Sequence, residues 1–142
     1  MGGKRIKIWS AVRWILTISL MIPLLGLSEG RAMGNEPAVI LQKQNNGQEV
    51  RLKEGQVFQI QLPGMGGTGY WWYVEPLDAR HVELLSEKTQ AQFDGRVGGA
   101  VLGLWDFRAK EPGTAEVRMD YYRKWEGVER AAESFRVKVT IE

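Results

Sequence analysis

From Ala38 to the end of the chain, apolar and polar side chains alternate with a period of two, in short runs separated by Gly, Pro, Asn and Asp. That period sends successive side chains to opposite faces of an extended backbone, so each run reads as a half-buried strand. AVILQ is closed by NNGQ, and EVRLK sets Val50 and Leu52 two apart before EG turns the chain. QVFQIQLP aligns Phe58, Ile60 and Leu62, and GYWWYVEP starts directly after the glycine-rich GMGGTG. HVELLSE is a further short run. After DGRVGG comes LGLWDFRA, with Trp105 and Phe107 on one face and Leu102, Leu104 and Asp106 on the other. TAEVRMDYY aligns Ala115, Val117, Met119 and Tyr121; SFRVKVTI aligns Phe135, Val137, Val139 and Ile141. No segment repeats its apolar residues at a helical period. Seven to eight short strands with frequent turns predict an all-β, immunoglobulin-like β-sandwich, with Trp105 as a candidate buried Trp. In GYWWYV, Tyr70, Trp72 and Val74 are expected to face the core.

The first 32 residues have a different character. A basic stretch, KRIKIWSAVR, leads into the apolar run Trp14 to Leu27, and small Gly30 and Ala32 follow. The run is short for a bilayer crossing, which takes ~20 residues, but suits the core of a signal peptide. Residues 1–32 therefore read as a signal peptide cut after Ala32, with an uncleaved anchor as the alternative. Residues 33–37 read as a disordered lead-in and 38–142 as the single domain. The expected destination is the periplasm or the exterior.

Charge follows the same division. The chain has 19 basic and 17 acidic residues, a net charge of +2. Residues 1–32 hold five of the basic residues and one of the acidic ones, so the remainder has 14 and 16, a net charge of −2. The basicity belongs to the leader, and no nucleic-acid partner is expected. Nor is stable membrane insertion once the leader is removed. There is no Cys, hence no disulfide, thiolate metal site, thiol nucleophile or lipid-anchoring Cys.

Catalytic constellations are scarce. His81 is the sole His and reads as a surface residue in a polar turn. Asp94 and Asp106 are the one conceivable carboxylate pair, but Asp94 adjoins a glycine turn, where Asp is favoured for local hydrogen bonds. No Gly-rich stretch precedes a helix to cradle phosphate. The chain reads as a binding protein, not an enzyme, with no cofactor and no metal.

Three loops stand out: Gly64 to Tyr70, Asp94 to Gly99, and Arg123 to Gly127. In a sandwich, alternate connections emerge at the same end, so these three can converge on one patch. The patch would combine glycine backbone, Thr68, the basic Arg123 and Lys124, and Trp125. Trp and Arg dominate the energetics of interfaces.

With these loops in this order, the chain resembles the chagasin-like inhibitors of papain-family cysteine peptidases over about Val39 to Ile141. The family's first loop typically reads Asn-Pro-Thr-Thr-Gly-Tyr or Phe, then Trp; here it reads Met65, Gly66, Gly67, Thr68, Gly69, Tyr70, then Trp72. The Gly-Gly pair that ends the family's second loop is matched by Gly98 and Gly99. The third loop, typically Arg-Pro-Trp, is matched by Arg123, Lys124 and Trp125. FRAKEPGTAEV and YYRKWE also fit. The resemblance implies a monomer that inserts three loops as a wedge into the cleft of a papain-like cysteine peptidase and blocks it reversibly. It places Thr68 nearest the catalytic Cys and His of the target, with Gly67 and Gly69 admitting close backbone approach. Gly98 and Gly99 would lie along the non-primed side, and Trp125 would stack on the far side with Arg123 adding polar contacts. Loss of Pro and gain of Gly loosen the free loops, which costs affinity.

Plainer readings stand beside these. Thr68 caps a turn, Gly98 and Gly99 form a tight turn, and Trp125 folds back onto the sheet. A rival function is a non-inhibitory envelope β-sandwich that binds carbohydrate or a protein partner, with Trp71, Tyr73 and Trp105 as an aromatic platform.

Overall fold

The computed structural model describes residues 34–92 and 99–142. The leader and Gly98 therefore lie outside the described residues, as do Asp94 and the rest of the second loop before Gly99. Among the described residues eight strands are present: β1 (Val39–Gln42), β2 (Glu49–Leu52), β3 (Val57–Met65), β4 (Tyr70–Val74), β5 (Val82–Ala91), β6 (Ala100–Ala109), β7 (Gly113–Arg123) and β8 (Glu133–Ile141). Among the described residues, helix is limited to two 3-10 turns, Lys43–Asn45 and Val128–Arg130. The strands form two four-stranded sheets, ordered β1-β3-β6-β5 and β2-β8-β7-β4. The protein is the all-β sandwich that the alternation predicts.

Direction of pairing was not encoded in that alternation. β1 runs parallel to β3, and β2 parallel to β8, while the other pairs are antiparallel. Consecutive strands β1 and β2 thus belong to opposite sheets. β5 is longer than its sequence suggests, because most of its side chains are exposed on an edge strand and give no alternation to read.

The inward faces interdigitate as one core. Phe58 stacks on Phe107 with ring centroids 5.2 Å apart, and Ile60 and Leu62 extend the same face toward Val117, Met119, Phe135, Val137 and Val139. Trp72 is buried as expected, Val74 is half-buried against the core, and Tyr70 is half-buried on Tyr121. Truncation of a Trp in such a place costs about 3–5 kcal/mol.

The proposed aromatic platform is not there. Trp105 is 0% exposed and packs against Gly103, where a Cβ would come within 2.2 Å of its ring. Trp71 lies over Gly64 in the same manner: a Cβ on Gly64 would come within 2.7 Å of its ring. The two indoles meet at a centroid distance of 5.7 Å. Trp71 also donates its Nε1–H to Glu87 at 3.0 Å. Since β4 and β5 are edge strands of different sheets, that bond closes one side of the sandwich. Tyr73 pairs instead with Tyr122, 4.7 Å away.

The outward faces are polar. Asp106 accepts from Gln59 at 2.7 Å and from Ser86 at 2.7 Å, as part of the sheet's own network. Asp120 is buried and accepts from Arg118 at 3.1 Å and from Ser134. His81 is less exposed than a surface His, being tucked against Gly113 and bonded to Asp78 at 2.8 Å. Asn35, ahead of the first strand, accepts from Arg108 at 2.9 Å.

Strand registers fix which connections share an end. Met65 at the end of β3 pairs with Ala100 at the start of β6. Tyr70 at the start of β4 pairs with Arg123 at the end of β7. The β3–β4 and β7–β8 connections and the start of β6 therefore lie together.

Candidate functional site

The first loop is short, and its shape follows from its glycines. Gly67 and Gly69 have φ of +79° and +80°, a region where a Cβ costs about 1 kcal/mol or more. Between them Thr68 folds its hydroxyl inward. Its Oγ1 donates to the Met65 carbonyl at 3.0 Å and accepts the Tyr70 N–H at 3.3 Å. The turn-capping role of Thr68 is thus present in the structure, with the residue itself exposed.

Arg123 ties this loop to the third one. Its Nε donates to the Thr68 carbonyl at 3.0 Å. Its guanidinium lies 4.5 Å from the Tyr70 ring centre and 5.9 Å from that of Trp125. Glu126 receives the other side of the guanidinium at 3.4 Å, and its N–H closes the turn by donating to the Arg123 carbonyl at 2.9 Å. Trp125 is 72% exposed and does not fold back onto the sheet. The Cη2 edge of its ring rests on Gly69, where any Cβ would collide with it. Lys124 is exposed beside it.

The other flank of the first loop meets the end of the second. A Cβ on Gly66 would lie 3.5 Å from the Gly99 carbonyl oxygen. The structure therefore brings together Gly66, Gly67, Thr68, Gly69, Tyr70, Gly99, Arg123, Lys124 and Trp125. Of the residues expected to bind a peptidase, Gly98 falls outside the described ones.

Beneath the loops runs a stack that sequence reasoning did not find. Trp72 contacts Tyr121 at 4.9 Å, and Tyr121 contacts Tyr70 at 5.4 Å. Tyr70 then carries Arg123, and Arg123 carries Trp125. The Tyr121 hydroxyl also accepts the Met65 N–H at 3.2 Å. Alternation marks Tyr121 as a core residue and gives no hint that its hydroxyl holds the first loop. Met65, read in the sequence as a loop position without a role, is 51% exposed.

Comparison with known proteins bears on the fold and the family. The family described as "Chagasin family peptidase inhibitor I42" matches residues 51–139, more than half of the chain. No curated protein matches it by sequence. Among solved structures, it is similar to the cysteine protease inhibitor EhICP2 from Entamoeba histolytica, with a TM-score of 0.67 at 22% identity, over 75% of this chain and 100% of that one. It is similar to Amebosin, with a TM-score of 0.57 at 22% identity, over 75% of this chain and 100% of that one. It is also similar to PbICP-C, solved in complex with falcipain-2, with a TM-score of 0.56 at 17% identity, over 77% of this chain and 93% of that one. At these identities the likeness is one of fold.

Proposed function

The chain belongs to the chagasin family of peptidase inhibitors, and from that membership we propose that it blocks papain-like cysteine peptidases reversibly with its three clustered loops. The family is one of inhibitors, so the protein supplies no catalytic group of its own. The solved complex of PbICP-C with falcipain-2 supports a peptidase as partner, here bound by a monomer. The apolar run behind a basic stretch in residues 1–32 supports export to the periplasm or the exterior.

One observation carries the reading: Trp125, Arg123, Thr68 and Gly69 touch one another at the end of the sandwich where Gly66 meets Gly99. The loop between β3 and β4 enters the cleft as a tight turn. Its two glycines at positive φ depart from the extended backbone that a peptidase threads for cleavage. Because the Thr68 hydroxyl is already bonded within the loop, Thr68 meets the target through its methyl group and backbone. Trp125 contributes the large rigid contact, pre-oriented by Arg123 and Gly69, so little ordering remains to be done on binding.

The test is a titration of the purified protein against papain and a cathepsin L-type peptidase with a fluorogenic substrate. Competitive inhibition below micromolar concentration is expected, and Thr68→Arg is expected to abolish it with the fold intact by circular dichroism. Absence of inhibition by the unaltered protein at micromolar concentrations would overturn the reading.

A further inference from the structure

Met65 stands where the resembled inhibitors have Asn, and its surroundings give that replacement a consequence. It is the last residue of β3, on the outward phase of the strand: Leu62 and Gly64 point in, Pro63 and Met65 out. Its backbone is pinned on both sides, the N–H to the Tyr121 hydroxyl and the carbonyl by the Thr68 hydroxyl. The side chain is therefore held outward, 51% exposed, at the start of the loop whose end carries Trp125. Met119, the other Met among the described residues, is fully buried. The chain has no Cys to consume an oxidant first.

We propose that Met65 is an oxidation-controlled contact of the inhibitory surface: reduced, it enters an apolar subsite of the peptidase, and as the sulfoxide it weakens the complex. This rests on the function proposed above. The thioether is a flexible, polarisable apolar group that adapts to irregular pockets. Oxidation by a peroxide transfers one oxygen atom to sulfur: the O–O bond breaks, an S=O bond forms, the sulfur loses two electrons, and water leaves. The product is a strongly polar acceptor, and burying it in an apolar subsite without a donor is unfavourable. Reduction by two thiols, as methionine sulfoxide reductases carry out, restores the thioether and yields a disulfide and water.

The experiment treats the full purified protein with hydrogen peroxide, maps added oxygen by peptide mass spectrometry, and measures inhibition of papain before treatment, after it, and after enzymatic reduction. Met65→Leu is carried in parallel, since it keeps the apolar bulk and cannot be oxidised. Expected are one added oxygen at Met65, none at Met119, and inhibition weakened at least tenfold and recovered on reduction. Whatever inhibition constant Met65→Leu shows before peroxide, it should show the same one after. Undiminished inhibition by protein oxidised at Met65 would overturn this proposal while leaving the inhibitor reading standing. Equal sensitivity of Met65→Leu would do the same, moving the effect to another side chain such as the exposed indole of Trp125. If untreated protein does not inhibit at all, the inhibitor reading and this proposal fall together.

Discussion

The two ends of the sandwich are closed by different means. At the end that holds the β2–β3, β4–β5 and β6–β7 connections, main chain bonds to main chain. Gly55 N–H donates to the Ala109 carbonyl at 2.8 Å, Lys110 to His81 at 2.7 Å, Glu111 to Arg80 at 3.2 Å, and Glu142 to Leu52 at 2.9 Å. At the other end, the first loop is held to its neighbours by side chains: the Tyr121 hydroxyl, the Arg123 guanidinium and the Trp125 ring. Among the described residues, no backbone pair joins Gly66 through Gly69 to another loop. The first end is sealed, with its backbone polarity satisfied internally. The second leaves backbone groups and a large aromatic available to a partner. A fold that needs both a stable core and a presented surface separates the two along its strands.

Five substitutions probe that contrast, from large effect to small. Trp72→Ala removes the base of the stack under the presented end and should cost about 3–5 kcal/mol, a fall in Tm of roughly 10–20 °C for a domain of this size. A thermal scan showing only a few degrees of change would mean that the loop end does not rest on Trp72. Trp125→Ala should act on binding alone, weakening inhibition by about 2 kcal/mol, or roughly thirtyfold, with Tm unchanged. A substantial fall in Tm would instead make Trp125 part of the scaffold.

Glycines at matching φ sharpen the comparison further. Gly69 and Gly55 have φ of +80° and +83°, one at each end, so alanine strains both backbones by about 1 kcal/mol. Gly69→Ala also displaces Trp125 and is expected to weaken inhibition about tenfold, by roughly 1.4 kcal/mol. Gly55→Ala should lower stability while leaving inhibition untouched. Inhibition constants that shift equally in the two variants would erase the distinction between the ends.

The smallest effect belongs to the sealed end. The hydrogen bond from His81, helped by the Arg80 N–H, holds the Asp78 carboxyl below its ordinary 3.8. A depressed folded-state value means that the stabilisation is complete above about pH 4 and is lost as pH falls through the lower folded value. Asp78→Asn should therefore flatten the acid side of the Tm profile slightly without changing inhibition at neutral pH. An acid limb identical to that of the unaltered protein would show that the pair is thermodynamically silent.

How far all this was legible depends on the kind of signal. Alternation is a local property, and it marked every buried strand, from Phe58-Ile60-Leu62 to Phe135-Val137-Val139-Ile141. The loops were legible because glycine clusters interrupt that alternation. Contacts between distant positions leave no local trace. The seating of Trp71 on Gly64 and of Trp105 on Gly103 was invisible, which is why Trp105 could be mistaken for part of an open platform. Tyr121 hid its second role for the same reason, since one residue faced the core by its ring and the loop by its hydroxyl. The parallel pairing of β1 with β3 and of β2 with β8 likewise joins strands that are not neighbours in sequence.

Three glycines lie hard against three indoles: Gly64 against Trp71, Gly103 against Trp105 and Gly69 against Trp125. Each couple imposes an order on mutational history. A lineage can trade the Trp for a smaller residue and afterwards fill the glycine, because the space has been vacated. The reverse order meets a collision at the first step. At Gly69 the first route gives up the exposed indole, and with it the proposed contact, before anything replaces it. At Gly64 and Gly103 the same route runs through a weakened core. The ancestry of this surface is thus constrained by which member of a pair was allowed to change first.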